Sequence, residues 1–214
     1  MFKKIRTYSN DERLISERRK QIVKAATRLF VKHGYQRTNT RELCNALGMS
    51  KGTLYHYVGT KADILYLVLK FALEDRAKLI ERLKEETEHL SVTEAIRVSI
   101  AEYFANVDEL QDMYNFINHA IVDLPKNDRS TMFDAFQDMV TYFENLIKKG
   151  IDNGEFVDNN PTLVAHNIVL EVTAWAHQRW FLRKRVTFEE YIAYEIDHVL
   201  HTLLPVQVSL RRPW

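Results

Sequence analysis

The chain has 214 residues, 46% hydrophobic and 28% charged, with a formal net charge of +1, an ordinary balance for a soluble protein of one large or two small domains. It contains no run of 18 apolar residues and no apolar segment behind Met1, which argues against a membrane span and a secretory leader. Its single cysteine, Cys44, excludes an internal disulfide framework and fits a reducing cytoplasm.

Only 6 Gly and 4 Pro interrupt the chain, so long helices are expected rather than many-turned sheets. Ile22, Ala25, Ala26, Leu29 and Phe30 follow the helical repeat and predict an amphipathic helix over 16–33, closed by a left-handed Gly34. Asn39 caps the next helix, Glu42 completes a capping box, and Leu43, Ala46 and Leu47 form its inner face up to Gly48. Ser50 caps a third helix to about Tyr57, and Gly59 breaks it. Thr60, with Asp63 as reciprocal partner, opens a fourth helix to about Glu88, roughly 40 Å long at the usual rise. Its apolar stripe is Ile64, Leu65, Val68, Leu69, Ala72, Leu73, Ile80 and Leu83.

A second set of helices follows. Ser91–Glu94 reads as a capping box opening a helix to about Val107. Another spans 109–123 and stops at Pro125. A long one starts at Asn127 or Asp128 and reaches about Asp152, with Phe133, Phe136, Val140, Phe143 and Ile147 inward. Asn160 and Pro161 open a helix over 161–181. Thr187–Glu190 opens the last, to about Leu204, with Ile192, Ile196, Val199, Leu200 and Leu203 inward. No strand pattern or repeat is evident, and the tail 205–214 reads as irregular. The fold class is all-α with about nine helices.

The small net charge hides an asymmetry. Residues 1–61 carry 14 Lys/Arg against 4 Asp/Glu, whereas 62–214 carry 16 against 25. The sign changes where the short helices end. A basic module on a neutral chain is the footprint of a nucleic-acid-binding domain, although single charge runs are often only solvated faces. The stretch 39–61 has the layout of a helix-turn-helix whose second helix is polar, basic and aromatic. Ser50 at a helix N-cap leaves backbone N–H groups facing outward, which suits a phosphate, and Lys51 adds charge beside it. Gly52 lets backbone approach a groove wall. Thr53 offers a hydroxyl to a base and a methyl to thymine. Leu54 points back into the core. Tyr55, His56 and Tyr57 offer donors, and Lys61, opposed to its own helix dipole, calls for an anion.

The phrase SKGTLYHY, followed by Thr60-Lys61, resembles the DNA-binding domain of the TetR family of bacterial transcriptional regulators. The resemblance covers about Arg18 to Leu65 and includes Phe30, Gly34-Tyr35, the Thr38-Asn39-Thr40 run and Arg41-Glu42-Leu43. It implies DNA contacts at Thr40, Arg41, Ser50, Lys51, Gly52, Thr53, Tyr55, His56, Tyr57 and Lys61. Cys44 and Val58 depart from the family's usual Ala and Phe, both at inner positions. Cys44 is therefore read as a small apolar filler rather than a redox sensor. Two readings of the basic arm, Lys3, Lys4, Arg6 and Arg13, stand side by side: a groove or phosphate contact, or a tail without a specific role.

Residues 1–61 are thus expected to bind DNA and 62–214 to bind a ligand and dimerise. Aromatic and polar residues mingle in the second part, as in small-ligand sites. Tyr114, Asn118, His119, Phe136, Tyr142, His166, Trp175 and Arg179 are the candidate pocket. The segment Trp175–Arg185 resembles family members that respond to fatty acyl-CoA or similar lipophilic acids. The helix 161–181 is apolar on more than one side and needs cover on both. With the last helix it is expected to pack on a second copy and so bind a palindromic operator. His119, His166 and His177 have no metal-ligand spacing and no nucleophile elbow is present, so neither metal, cofactor nor enzymatic activity is expected. The expected function is a ligand-released repressor, with the fourth helix as lever. The alternative is an architectural DNA-binding protein that uses the same fold without an inducer.

Overall fold

The computed structural model describes residues 4–8 and 11–205, without the side chains of 118, 131 and 134–136. Lys3 of the expected arm, nearly all of the expected irregular tail, and the side chains of Asn118 and Phe136 lie outside the described residues. The described chain is all helix: α1 Glu12–His33, α2 Thr40–Leu47, α3 Lys51–Tyr57, α4 Lys61–Thr87, α5 Val92–Glu109, α6 Gln111–Ala120, α7 Lys126–Phe136, α8 Asp138–Asp152, α9 Pro161–Leu182 and α10 Phe188–Leu203. A short 3-10 segment, Ile121–Asp123, follows α6.

Compactness divides the chain elsewhere than charge does. One unit holds the chain up to Lys78 together with Leu110–Gln137; the other holds Leu79–Glu109 and the chain from Asp138 onward. The first packs α1, α2, α3, the start of α4, α6 and α7 around Ile22, Phe30, Leu43, Leu54, Ile64, Leu65, Leu69, Phe116 and Met132. Phe30 stacks on Phe116 at 6.0 Å between ring centres, which fastens α6 to α1. The second packs α5, α8, α9 and α10 over Ile96, Ile100, Phe104, Phe143, Ile168, Val172, Trp175 and Leu203.

Three expectations change. The single helix expected over 127–152 is two, separated at Gln137, where the chain leaves one unit for the other. Met132 is buried in the first unit and Met139 and Phe143 in the second, so the two halves answer to different cores, and no Gly or Pro marks the break. Phe133, expected inward, is 48% exposed. In α2, Cys44 joins Leu43 in the core while Ala46 faces outward. Leu43 and Leu47 pack against the core as predicted, so Ala46 alone departs from the expected inner face.

Local chemistry fixes the helix ends. Asp11 accepts from the backbone N–H of Leu14 and starts α1 earlier than expected. Gly34, Gly48 and Gly154 all take positive φ, where a side chain would be strained. Within α8, a Cβ on Gly150 would overlap the Phe156 ring, so the ring packs directly on backbone. The box expected at the start of α5 is half made. Ser91 accepts from Glu94 N–H at 3.2 Å, but the Glu94 carboxylate turns to Arg97 at 3.6 Å. Glu155 serves the helix end instead, accepting from Val92 N–H at 3.2 Å, Thr93 N–H at 3.0 Å and the Thr93 hydroxyl at 3.1 Å.

Those hydrogen bonds, the Thr93 backbone one foremost, hold the Glu155 carboxyl below the usual glutamate range. A depressed carboxyl contributes stability above its unfolded value, near pH 4.3, and loses it as pH falls through the folded value. Glu155→Ala should cost about 1 kcal/mol at neutral pH, a typical loss for an N-terminal cap. Urea unfolding of both proteins should show this gap closing toward pH 3; a gap independent of pH would remove the carboxylate from the account.

Candidate nucleic-acid interface

The turn between α2 and α3 is built from reciprocal caps. Asn39 and Glu42 form a full capping box, with Glu42 N–H to Asn39 at 3.0 Å and Asn39 N–H to the Glu42 carboxylate at 2.9 Å. Gly48 is left-handed and ends α2. Ser50 accepts from Thr53 N–H at 3.0 Å and shares a hydroxyl–hydroxyl contact of 2.8 Å with Thr53. Leu54 and Val58 are fully buried, so the face of α3 that carries Lys51, Gly52 and Thr53 points to solvent. Arg41 and Ser50 are exposed beside it, and Thr40, Tyr55, His56 and Tyr57 are half-buried. The Thr40 and Tyr55 hydroxyls meet at 3.0 Å and tie the start of α2 to α3.

Lys61 behaves differently from the residues around it. Its ammonium donates to the Tyr35 carbonyl at 2.6 Å and lies 4.2 Å from the centre of the Tyr35 ring. In this structure a carbonyl and an aromatic face lie against the charge. Burial lowers its affinity for the proton, while Asp123 and Glu42 oppose that shift. Lys61 thereby fastens the link after α1 to the start of α4.

The arm is also more than a charged tail. Ile5 is buried in the core. Tyr8 N–H and the Thr7 hydroxyl donate to the His56 carbonyl at 3.1 and 3.2 Å. Arg19 of α1 donates to the Ile5 carbonyl at 2.9 Å and to the Tyr57 carbonyl at 3.0 Å. The last carbonyls of a helix lack partners within it; here the arm and Arg19 supply them for α3. Burial pulls the Arg19 guanidinium below its ordinary value, against the pull of Asp63. Arg6 stacks over Tyr8 at 4.6 Å. Sequence reasoning missed Arg19, because it falls on the polar side of α1 and no spacing rule marks an arginine that reaches across to another element.

The candidate pocket residues are spread over both units. Tyr114, Asn118 and His119 lie on α6 and Phe136 on α7, whereas Tyr142, His166, Trp175 and Arg179 belong to the second unit. His119 is exposed and lines an open cleft with Lys32, Arg37, Glu42 and Phe116. Tyr142 is buried, its hydroxyl 2.8 Å from that of Ser99. Trp175 and Arg179 converge on Asp108, the indole N–H at 2.7 Å and the guanidinium at 2.9 Å. Trp175 is fully buried and packs 5.1 Å from both Phe188 and Tyr191, so it is core within its unit. His166 stands on the exposed side of α9. That side also carries Leu163, 61% exposed, Leu170 and Trp180, 73% exposed. No helix of the described residues is long and apolar enough to cross a membrane.

Residues 22–66 match the family described as "Bacterial regulatory proteins, tetR family", and residues 89–200 match "Tetracyclin repressor-like, C-terminal domain". The HTH-type transcriptional regulator HbdR of Aromatoleum sp. (strain CIB) is 29% identical over 188 residues, 88% of this chain and 81% of that protein. The structure of FadR from Bacillus subtilis in complex with stearoyl-CoA shares the fold with a TM-score of 0.71 at 16% identity, over 86% of this chain and 98% of that one. AibR, solved in complex with isovaleryl coenzyme A and operator DNA, shares it with a TM-score of 0.70 at 20% identity, over 85% and 97%. The chain belongs to the TetR family of bacterial transcriptional regulators, proteins that act by binding DNA and not by catalysis.

Proposed function

We propose that the protein is a repressor that binds a palindromic operator as a homodimer and is released by a lipophilic effector of the acyl-CoA class. The observation that carries the DNA reading is the exposed face of α3. Lys51, Gly52 and Thr53 stand clear of the core on a helix that Leu54 and Val58 anchor. Arg41 and Ser50 flank them, and Thr40, Tyr55, His56 and Tyr57 complete the surface. Lysine and arginine supply phosphate attraction, and Thr53 is the residue suited to reading a base. Lys61 serves this surface by positioning α4.

The exposed apolar side of α9 supports the dimer. Leu163, Leu170 and Trp180 there, and Tyr194 of α10 at 70% exposure, are large apolar groups open to water. Large apolar side chains left exposed along one side of a helix suit an interaction site, and a second copy covering them by two-fold symmetry would present two α3 helices to successive major grooves, ~34–36 Å apart. The acyl-CoA class rests on two relatives of the same fold, whose structures hold stearoyl-CoA and isovaleryl coenzyme A. Such an effector acts only if it binds the DNA-incompetent state more tightly than the competent one, with α4 as the lever.

The DNA reading divides the two lysines. Once an operator has been selected from random sequence, Lys51→Ala should weaken binding across sequences and reduce the salt slope by about 1, the signature of one lost phosphate contact. Lys61→Met should lower the thermal midpoint and leave the slope unchanged. Thr53→Ala should shift base preference. Equal slope changes for both lysines would return Lys61 to the DNA surface.

The arm needs substitution rather than truncation, because deleting it removes Ile5 from the core. Lys4→Ala combined with Arg6→Ala should lower operator affinity and the salt slope if the arm touches DNA. Unchanged values assign the arm to support of α3 alone. For the effector, fluorescence anisotropy of labelled operator should fall on addition of acyl-CoA of a preferred chain length. A panel from short to long chains that leaves the anisotropy unchanged removes this effector class.

A further inference from the structure

The last two helices of the second unit carry a cluster that the reading above leaves unused. We propose that Glu171, Glu195 and His198 form a binding site for a first-row divalent metal ion of the zinc type.

Glu195 and His198 make a Glu-x-x-His pair on α10. That spacing places both side chains on one face of a helix, and helical bundles use it, with a glutamate from a facing helix, to hold metal ions. Here the facing glutamate is Glu171 of α9. The His198 Nδ1 atom lies 3.4 Å from Glu171 Oε1 and 3.9 Å from Glu195 Oε2. One donor atom from each of the three lies within 4.8 Å of the others. Ligands at zinc distances around a tetrahedral ion stand roughly 3.3 Å apart. The donor set is therefore within small side-chain adjustments of a coordination shell, with a position left for water or another donor.

Charge supports the same conclusion. Glu195 is only 8% exposed, and a buried carboxylate is costly unless an opposite charge accompanies it. Elsewhere on this protein, acidic residues at helix spacing face lysine or arginine and stay exposed, as in Asp75 with Lys78, Glu81 with Lys84 and Glu94 with Arg97. At this cluster the partner is a histidine, and a second carboxylate is added rather than a cation. Tyr191 closes the inner side, its hydroxyl donating to the Glu171 carbonyl at 3.4 Å and also hydrogen-bonding the Glu195 carboxylate. Two carboxylates and a neutral imidazole offer a divalent ion two negative charges and one nitrogen. The nitrogen favours zinc and its neighbours over magnesium or calcium, which prefer oxygen alone.

The test uses the full chain, stripped of metal with a chelator and dialysed. Isothermal titration calorimetry with ZnCl2 at neutral pH should show saturable uptake of one ion per chain, and the thermal midpoint should rise with zinc. His198→Ala and Glu171→Gln should each weaken zinc at least about 100-fold, since even groups one shell further out cost 10–100-fold. His201→Ala and His166→Ala should leave uptake unchanged. His198 is exposed, so its substitution spares the core. Glu195→Gln keeps the buried shape and should also lose zinc while circular dichroism shows a folded chain. Cobalt in place of zinc should give visible absorption that disappears in His198→Ala. Absence of saturable uptake, or uptake that survives His198→Ala and Glu171→Gln, overturns the site. The zinc readouts use neither operator nor acyl-CoA, and gel filtration of His198→Ala, which loses a ring stacked on Tyr194 at 6.5 Å, separates loss of the ion from loss of the dimer, so failure here leaves the regulatory reading intact.

Discussion

Helix α3 is seven residues long, far below the length at which a helix holds itself together in water. Everything the exposed face of α3 can do depends on its being held from outside. The hold has two parts. Leu54 and Val58 fix the inner face in the apolar core. The final carbonyls, of His56 and Tyr57, are taken by Tyr8 N–H, the Thr7 hydroxyl and Arg19. The first part resists movement of the helix away from the core, and the second resists fraying at the end where Tyr55, His56 and Tyr57 lie. A charged arm that also carries Ile5 into the core is thus part of the framework of the module.

The same economy explains Lys61. A lysine in the first turn of a helix works against the helix dipole, and the sequence alone suggests that an outside anion must compensate. In the fold, the Tyr35 carbonyl and ring do so. The cost of burial is visible in the lowered proton affinity of the ammonium. What results is a cross-link between the turn after α1 and the start of α4. A family position associated with DNA can therefore matter for DNA binding through geometry, without its charge reaching a phosphate.

Helix ends were the most legible part of the sequence, because capping is local. Asn39 with Glu42, Ser50, Asn160 with Pro161, and Thr187 with Glu190 all form as the residue types predict. Local rules fail where a distant residue takes over. Glu155 caps α5 from 62 residues away, and Arg19 reaches the end of α3 from 38 residues away. The break at Gln137 is of the same kind. Nothing in the composition of 126–152 interrupts a helix, and the interruption comes from the chain's being shared between two cores. The candidate ligand residues are the least legible part. Aromatic groups at helical spacing line a core and a pocket alike, and Trp175 proves to be enclosed by Phe188, Tyr191 and Asp108.

Glu195 shows where a sequence signal was present and unused. It falls three residues after Ile192 and four before Val199, inside the apolar stripe of α10. A charged residue at a core position is informative, because burial without compensation costs more than one substitution normally leaves unrepaired. Read by periodicity, α10 is an ordinary amphipathic helix with one flaw. Read by chemistry, the flaw has a partner three residues on and another across on α9, and the three together have the composition of a ligand set. The apolar stripe and the polar cluster then belong to one design: the stripe holds α10 in place firmly enough that Glu195 and His198 keep a fixed relation to Glu171.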